Sequence, residues 1–189
     1  MTYPLVIKNF ITKEENDYFL NWIEENKFLY DQHTSSVEYW SKRCIYYNSI
    51  RDEVIKTKLI NLIVSIKNVV EENSISDQKL FVEYPQFVKW ENGVELPPHA
   101  DNIEPDGITP NATPWRSHGC VLYFNSSFDG GELYYPNLNI EVKPEAGMLV
   151  AHPAGLKFLH GVKKVESGTR QTMSTFFTYD ENFRNVHRD

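Results

Sequence analysis

The chain has 189 residues, of which 41% are hydrophobic and 14% aromatic, as expected for one folded domain with a full core. Its net charge of −7 and pI near 5.4 disfavour non-specific nucleic-acid binding, which needs basic surface. No apolar run approaches the roughly 20 residues that span a bilayer, and the first residues lack a signal-peptide pattern. The two cysteines, Cys44 and Cys120, lie in apolar contexts that predict buried free thiols. We therefore expect a single domain over 1–189, in the cytoplasm, without a membrane partner.

A short edge strand and a capped helix are predicted at the start of the chain. Residues 5–7 form an apolar run typical of a strand. Thr12 and Glu15 have the spacing of a capping box, which predicts a helix over 13–27. The apolar face expected for this helix consists of Tyr18, Phe19, Trp22 and Ile23.

A second helix is predicted over 51–72, after an aromatic and irregular segment over 28–50. Its apolar residues follow the three-to-four spacing of one helix face. Together the two helices make 1–75 a predicted helical support region. The residues of the second face are Ile55, Leu59, Leu62, Ile63, Ile66 and Val70.

The pattern changes to short strands over 80–179, separated by turn residues. Helices followed by about eight strands indicate an α+β domain built on a jelly roll. The long segment 102–118 has no strand pattern, and a loop of that length in a compact domain is usually functional, so we expect a lid. The strand-like runs are 80–90, 119–125, 132–135, 139–142, 147–152, 157–163 and 170–179.

The most informative residues are His99, Asp101 and His160. His99 and Asp101 are two apart, so on a strand their side chains share a face. Two imidazoles and one carboxylate are the ligand set of non-heme Fe(II) oxygenases. A lone His-x-Asp is common by chance, and four other histidines, at 33, 118, 152 and 187, show that His is not scarce here. Of these, His152 is the best rival ligand, although no carboxylate lies at a matching spacing, and a pocket-wall or core role is expected.

Arg170 follows His160 by ten residues and supplies a permanent, forked cation suited to a carboxylate. Alternation along its strand places Thr172, Ser174 and Phe176 on the same face as Arg170. Met173 and Phe177 share the other, apolar face. This pattern predicts a polar pocket on one side of the strand and a helix-covered core on the other. Tyr123 is expected to face the same pocket.

Taken together, the residues resemble the Fe(II)/2-oxoglutarate-dependent dioxygenases, in their prolyl 4-hydroxylase-like branch. The resemblance covers roughly 80–179, and its specificity comes from the order and spacing of six segments together. These are His-Ala-Asp-Asn at 99–102, Leu-Tyr-Phe-Asn at 122–125, Gly-Gly-Glu-Leu at 130–133, Pro-Glu-Ala-Gly-Met-Leu-Val at 144–150, His-Gly-Val at 160–162 and Gly-Thr-Arg at 168–170.

The resemblance implies a double-stranded β-helix with the N-terminal helices packed on one sheet. It implies that His99, Asp101 and His160 bind Fe(II) and act in catalysis together with Arg170. Arg170 and Tyr123 would bind the distal carboxylate of 2-oxoglutarate. The other residues implied at the cosubstrate are Ser174, Val162 and Trp90. Trp90 replaces a tyrosine of some relatives and lies one residue nearer the metal His, so both a pocket wall and a hydrogen-bond donor stay open.

The resemblance also implies hydroxylation with release of succinate and CO2, using O2, with ascorbate as a candidate accessory. The carboxylate of Asp101 favours hydroxylation over halogenation, because related halogenases lack it. The substrate stays open between a prolyl residue in a protein or peptide and a free amino acid or other small molecule. A cupin-like metal-binding module without activity is a third reading, which leaves Arg170 and Tyr123 without a purpose. Trp115 and Arg116 are candidate substrate contacts, with ordinary packing as the alternative.

Overall fold

Helices dominate the N-terminal part of the chain, and the two longer ones begin at side-chain caps. The first, α1 (Lys13–Glu25), has the predicted box: Thr12 Oγ1 accepts from the Glu15 amide and the Glu15 carboxylate accepts from the Thr12 amide. A one-turn helix, α2 (Phe28–Gln32), follows, and then α3 (Glu53–Asn73), which is capped by Asp52. The computed structural model describes residues 3–32, 34–35, 37–74 and 76–184, so His33 and His187 lie outside the described residues.

The buried helix faces agree with the predicted ones except at Tyr18. All six apolar residues predicted for α3 are buried. In α1, Phe19, Trp22 and Ile23 are buried, but Tyr18 is 37% exposed, so its assignment to this face was wrong. Asn16 is buried instead, because its side-chain amide donates to the Phe124 carbonyl at 2.7 Å and so ties α1 to the sheet beneath.

Twelve strands lie within the described residues and form two sheets. The strands are β1 (Leu5–Ile7), β2 (Cys44–Tyr46), β3 (Phe81–Val82), β4 (Gln86–Glu91), β5 (Leu96–His99), β6 (Arg116–Tyr123), β7 (Phe128–Gly130), β8 (Leu133–Tyr135), β9 (Ile140–Val142), β10 (Leu149–Pro153), β11 (His160–Val162) and β12 (Val165–Thr178). The major sheet has the order β1-β10-β6-β12-β4-β2, with β3 and β7 also paired to β12. The minor sheet has the order β5-β11-β8-β9.

Each face of the major sheet has its own core. One face packs against α1 and α3, in a cluster that includes Phe87, Leu122, Met173 and Phe177. The opposite face meets the minor sheet, in a cluster that joins Val88 and Tyr123 to residues of β8, β9 and β11. The arrangement is the expected jelly roll with helices on one sheet. The strand β12 runs through the middle of the major sheet and contributes side chains to both sides.

Several predicted element bounds were wrong, each for a local reason. The segment 28–50 contains α2, two single 3-10 turns and the edge strand β2, which are too short to show a periodic pattern. The predicted strand over 80–90 is two strands, β3 and β4, with Pro85 between them. The predicted strand over 157–163 begins as a 3-10 turn, Leu156–Phe158, and only then becomes β11.

Two further bounds affect the site. The strand β5 ends at His99, so Asp101 lies in a bend after it and not on the strand. The predicted loop over 102–118 ends earlier, because β6 begins at Arg116. Both cysteines are buried and unpaired, as predicted. Among the described residues, no helix combines the length and apolar composition that crossing a bilayer requires.

Candidate metal centre and cosubstrate pocket

A cavity of about 360 Å³ lies between the two sheets. All the predicted site residues except Tyr123 line its walls. Its walls include His99, Asp101 and His160 at one end and Arg170 at the other. Tyr123 is fully buried and reaches the site through the hydroxyl that it offers to Arg170. The face of β12 that was predicted to be polar lines this cavity with Arg170, Thr172, Ser174 and Phe176. The predicted alternation along β12 is therefore confirmed.

The two histidines are brought together by strand pairing. His99 ends β5 and His160 begins β11, and the two residues are partners in the antiparallel ladder. Their ring centroids are 4.5 Å apart. Asp101 reaches the same point from the bend after β5, where its amide donates to the Ala154 carbonyl at 2.9 Å. One donor atom from each of the three side chains lies within 4.8 Å of the others.

The orientation of both imidazoles is set by the backbone. His99 Nδ1 is 3.1 Å from the Pro97 carbonyl, and His160 Nδ1 is 3.0 Å from the Phe158 carbonyl. Because a carbonyl only accepts, each Nδ1 carries the proton and each Nε2 keeps its lone pair. The two Nε2 atoms are 3.9 and 4.0 Å from Asp101 Oδ1. This is the ligand orientation that metal-binding histidines usually take.

The charge states also suit a divalent cation. Burial lowers the pKa of His160 to about 3, and nearby His152 adds to this effect, so the ring is neutral at neutral pH. Burial raises the pKa of Asp101, but the facing imidazoles of His160, His152 and His99 lower it, and the net direction is downward. Asp101 Oδ2 is buried without a hydrogen-bond partner. A buried, ionised, unpartnered carboxylate beside two free nitrogen lone pairs fits Fe(II).

Gly119 on β6 allows the carboxylate of Asp101 to lie against the strand. A Cβ atom at this position would be 2.4 Å from Asp101 Oδ2 and 3.1 Å from His152 Cε1. His152 lines the cavity, with its ring centroid 4.1 Å from that of His160. Its Nδ1 is 3.9 Å from Asp101 Oδ2, and it does not belong to the three-donor cluster. His152 is thus a buried residue of the pocket wall, in line with the pocket-wall or core role expected for it.

The other end of the cavity is cationic. Arg170 is only 1% exposed, and its Nη2 donates to the Tyr123 hydroxyl at 3.2 Å. Its Nε and Nη1 are buried without partners. Burial lowers the pKa of this guanidinium, although the Tyr123 hydroxyl raises it. Leaving a buried cation without an anion is costly, so these two unpartnered nitrogens indicate a place for a carboxylate.

The remaining predicted cosubstrate residues, Ser174, Val162 and Trp90, also line the cavity. Trp90 Nε1 donates to Thr172 Oγ1 at 3.2 Å. Sequence patterns missed Trp40, which comes from the segment predicted to be irregular and lines the same cavity. Thr172, in contrast, was predicted to face the cavity from the alternation of side chains along β12.

The loop over 102–115 is fastened to the metal-binding segment. Thr113 Oγ1 donates to the Asp101 carbonyl at 2.8 Å, and the Asn111 amide donates to the Ala100 carbonyl at 3.1 Å. The outer part of the loop is held by its own contacts, chiefly those of Asp106 with the backbone of residues 108 and 109. The role of the loop as a lid stays a prediction.

Trp115 and Arg116 both bind Glu83, a buried carboxylate that sequence patterns missed. Trp115 Nε1 donates to it at 2.8 Å and the Arg116 guanidinium binds it with two nitrogens at 2.7–3.1 Å. Arg116 also lines the cavity, so its guanidinium is already paired there. The packing role of both residues is thus visible in the structure, and a substrate contact stays a prediction.

Comparisons with known proteins agree with this site. A family model described as the 2OG-Fe(II) oxygenase superfamily matches residues 85–178. Human prolyl 3-hydroxylase 1 is 35% identical over 149 residues, which are 68% of this chain and 20% of that protein. Prolyl 3-hydroxylase 2 of Gallus gallus is 28% identical over 142 residues, which are 65% of this chain and 20% of that protein. The chain thus spans about a fifth of the length of these curated relatives.

Solved structures share the fold at low identity. A Pseudomonas putida prolyl-4-hydroxylase superimposes with a TM-score of 0.67 at 16% identity, covering 92% of this chain and 91% of that chain. The 2OG complex of a viral collagen prolyl hydroxylase from Paramecium Bursaria Chlorella virus-1 gives 0.66 at 18% identity, with coverages of 94% and 96%.

The chain belongs to the 2OG-Fe(II) oxygenase superfamily. The expected jelly-roll fold is confirmed. The family agrees with the expected class of 2-oxoglutarate-dependent dioxygenase, and the cluster of His99, Asp101 and His160 could hold its metal ion.

Proposed function

We propose that this protein is an Fe(II)- and 2-oxoglutarate-dependent hydroxylase of prolyl residues in a protein or peptide. The observation that carries the proposal is one cavity with two complementary ends. At one end donor atoms of His99, Asp101 and His160 lie within 4.8 Å of one another, and at the other the buried guanidinium of Arg170 has two nitrogens without a partner. A non-catalytic metal-binding module would have no use for the second end.

Each functional side chain has one proposed role. His99, Asp101 and His160 hold Fe(II), with both histidines fixed in the correct tautomer by backbone carbonyls. Arg170 and Tyr123 hold the distal carboxylate of 2-oxoglutarate, and Ser174, Val162 and Trp90 line its path.

When bound, Fe(II) supplies the oxidising chemistry in which O2 converts 2-oxoglutarate to succinate and CO2 and hydroxylates the substrate. The protein orients the cosubstrate and excludes water. Apolar residues from both sheets surround the cavity, and the closed wall at the arginine end keeps solvent away from the guanidinium. The neutral imidazole of His160 and the ionised carboxylate of Asp101 suit a divalent cation.

The prolyl substrate is supported by the relatives, which are named prolyl 3-hydroxylases among the curated proteins and prolyl-4-hydroxylase or collagen prolyl hydroxylase among the structures. Their names differ in the ring position, so the prolyl 4-hydroxylase-like assignment concerns the type of active site, and either ring carbon is a proposed target. We further propose that 1–189 acts as one domain, because α1 and α3 pack on the sheet that carries Arg170. A cytoplasmic location is supported by the unpaired Cys44 and Cys120.

The test is a succinate-release assay with Fe(II), 2-oxoglutarate and a panel of proline-containing peptides and free amino acids. The proposal expects peptide-dependent succinate and a product that has gained one oxygen atom on a prolyl ring. Hydrolysis of the product and chromatography against 3- and 4-hydroxyproline standards would assign the carbon. Turnover with free amino acids and with no peptide would remove the prolyl-peptide assignment, while absence of any 2-oxoglutarate turnover or binding would remove the proposal itself.

A further inference from the structure

Trp90 lies directly across the strand ladder from Arg170, on β4. The centroid of a Trp90 ring is 4.9 Å from the guanidinium carbon of Arg170, and the Tyr123 ring is 4.8 Å from the same atom. All three side chains are at least nine-tenths buried. In such a desolvated setting, contact between a cation and an aromatic face is at its strongest.

The polar atom of Trp90 is already occupied. The single N–H of the indole donates to Thr172 Oγ1 at 3.2 Å. The Thr172 hydroxyl in turn donates to the Val88 carbonyl at 3.4 Å, so its own proton is used as well. Since an indole has only one donor, Trp90 has none to offer to a molecule in the cavity. It can act there only through the surface of its rings.

A second aromatic layer fixes the position of Trp90. The ring of Trp40 meets that of Trp90 edge-on, with centroids 5.9 Å apart and planes at 86°. Tyr39 meets Trp40 in the same way at 4.7 Å and 89°, and the Arg43 guanidinium lies over the Tyr39 ring at 4.4 Å. The segment 38–43, for which no regular pattern was predicted, therefore packs against Trp90 through Trp40.

From this geometry we infer that Trp90 is a positioning residue, which holds the plane of the Arg170 guanidinium at the cavity wall and makes no hydrogen bond to 2-oxoglutarate. The inference rests on the proposed function, because it concerns the affinity for that cosubstrate. The polar anchor at Thr172 and the edge of Trp40 hold the ring, and the ring holds the cation. The free donors of Arg170 then need no reorientation when a carboxylate arrives.

Two substitutions at position 90 separate this role from that of a hydrogen-bond donor. Trp90→Phe keeps an aromatic face and removes the N–H, whereas Trp90→Leu removes both. Calorimetry with Mn(II) and 2-oxoglutarate under anaerobic conditions gives the affinity without turnover. We expect Trp90→Phe to stay within about threefold of the natural protein and Trp90→Leu to weaken binding roughly 5- to 30-fold, the range of a buried cation–π contact. Equal losses in both variants would overturn the inference, and so would no loss in either.

The affinity for Mn(II) alone reports on the other end of the cavity and should be unchanged in both variants. In steady state, the KM for 2-oxoglutarate should rise in Trp90→Leu while kcat changes less, and Trp90→Phe should restore it. Should Trp90→Leu not fold, Thr172→Val removes the anchor of the ring with little change of volume. We expect it to weaken 2-oxoglutarate binding about threefold, as in Trp90→Phe, because both variants remove the same anchoring hydrogen bond. Unchanged binding in this variant would contradict the positioning role. A natural protein that binds Mn(II) but not 2-oxoglutarate would instead remove the proposed function.

Discussion

The two ends of the cavity are built in different ways. At the metal end, the backbone orients the ligands, since His99 and His160 each point Nδ1 at a carbonyl two residues earlier in the chain. At the arginine end, other side chains orient the functional group, since Trp90 and Tyr123 reach Arg170 from neighbouring strands. We therefore expect the metal end to depend on few residues, each of them essential. The arginine end distributes its support and should lose function by degrees.

The largest effect is expected at the metal end. His160→Ala removes one of the three proposed ligands, so the Mn(II) or Fe(II) affinity and all turnover should be lost, while the fold stays intact. Metal titration followed by calorimetry would measure this. His118→Asn is the matched control, because His118 is also buried but lies on the far face of β6, against Tyr3 and Tyr179. Stoichiometric metal retained by His160→Ala would show that His160 is not a metal ligand.

Arg170 should respond strongly but not absolutely. Arg170→Lys keeps the charge and loses the fork, so the affinity for 2-oxoglutarate should fall roughly 10- to 150-fold, the equivalent of one charged hydrogen bond of about 1.5–3 kcal/mol. Metal affinity should not change. Arg116→Lys is the control, since that guanidinium also lines the cavity but is paired with Glu83. A dissociation constant for 2-oxoglutarate that is the same in Arg170→Ala and the natural protein would refute the role.

Gly119→Ala tests whether the carboxylate of Asp101 is held by close approach to β6. The added methyl would meet Oδ2 at 2.4 Å, so Asp101 must move and the metal affinity should fall at least about tenfold, with a stability loss of about 1–3 kcal/mol. Gly155→Ala is the control, because a Cβ atom there meets nothing within 4 Å. Thermal melting and metal titration of both variants would measure these effects. Equal metal affinities would show that close approach to β6 does not hold the Asp101 carboxylate.

The smallest effect is expected in the loop that supports the metal end. Thr113→Val removes the hydrogen bond to the Asp101 carbonyl, which is worth about 1 kcal/mol, so metal affinity should fall about fivefold. Thr109→Val is the control in the same loop, since the Thr109 hydroxyl binds Asp106 and not the metal-binding segment. Similar losses in the two variants would mean that general loop order matters, and not this contact.

The sequence could predict the features that depend on residue type and on spacing along the chain. His99, Asp101, His160 and Arg170 were predicted to share one site from their residue types and spacing, and the structure places all four on the walls of one cavity. The alternation along β12 correctly separated the cavity face from the face under the helices, because one long strand between two cores has to alternate. The capping box of α1 and the apolar stripe of α3 were found for the same reason, since both depend on neighbours along the chain.

Residues whose roles depend on strand register were not found. Trp40 reaches the cavity through a short segment without periodicity, and Glu83 pairs with Arg116 across 33 residues. Gly119 looks like any glycine in a strand until β6 is placed beside Asp101. The break between β3 and β4 and the bend that carries Asp101 are likewise set by tertiary contacts, such as that of the Asp101 amide with the Ala154 carbonyl.

One measurement tests the central claim most directly: anomalous diffraction from crystals grown anaerobically with Mn(II) and 2-oxoglutarate. We predict a single metal peak about 2.0–2.3 Å from Nε2 of His99, Nε2 of His160 and a carboxylate oxygen of Asp101. The same map should place the distal carboxylate of 2-oxoglutarate within hydrogen-bond distance of the Arg170 guanidinium. A metal peak elsewhere, or a cosubstrate whose carboxylate does not touch Arg170, would contradict the account.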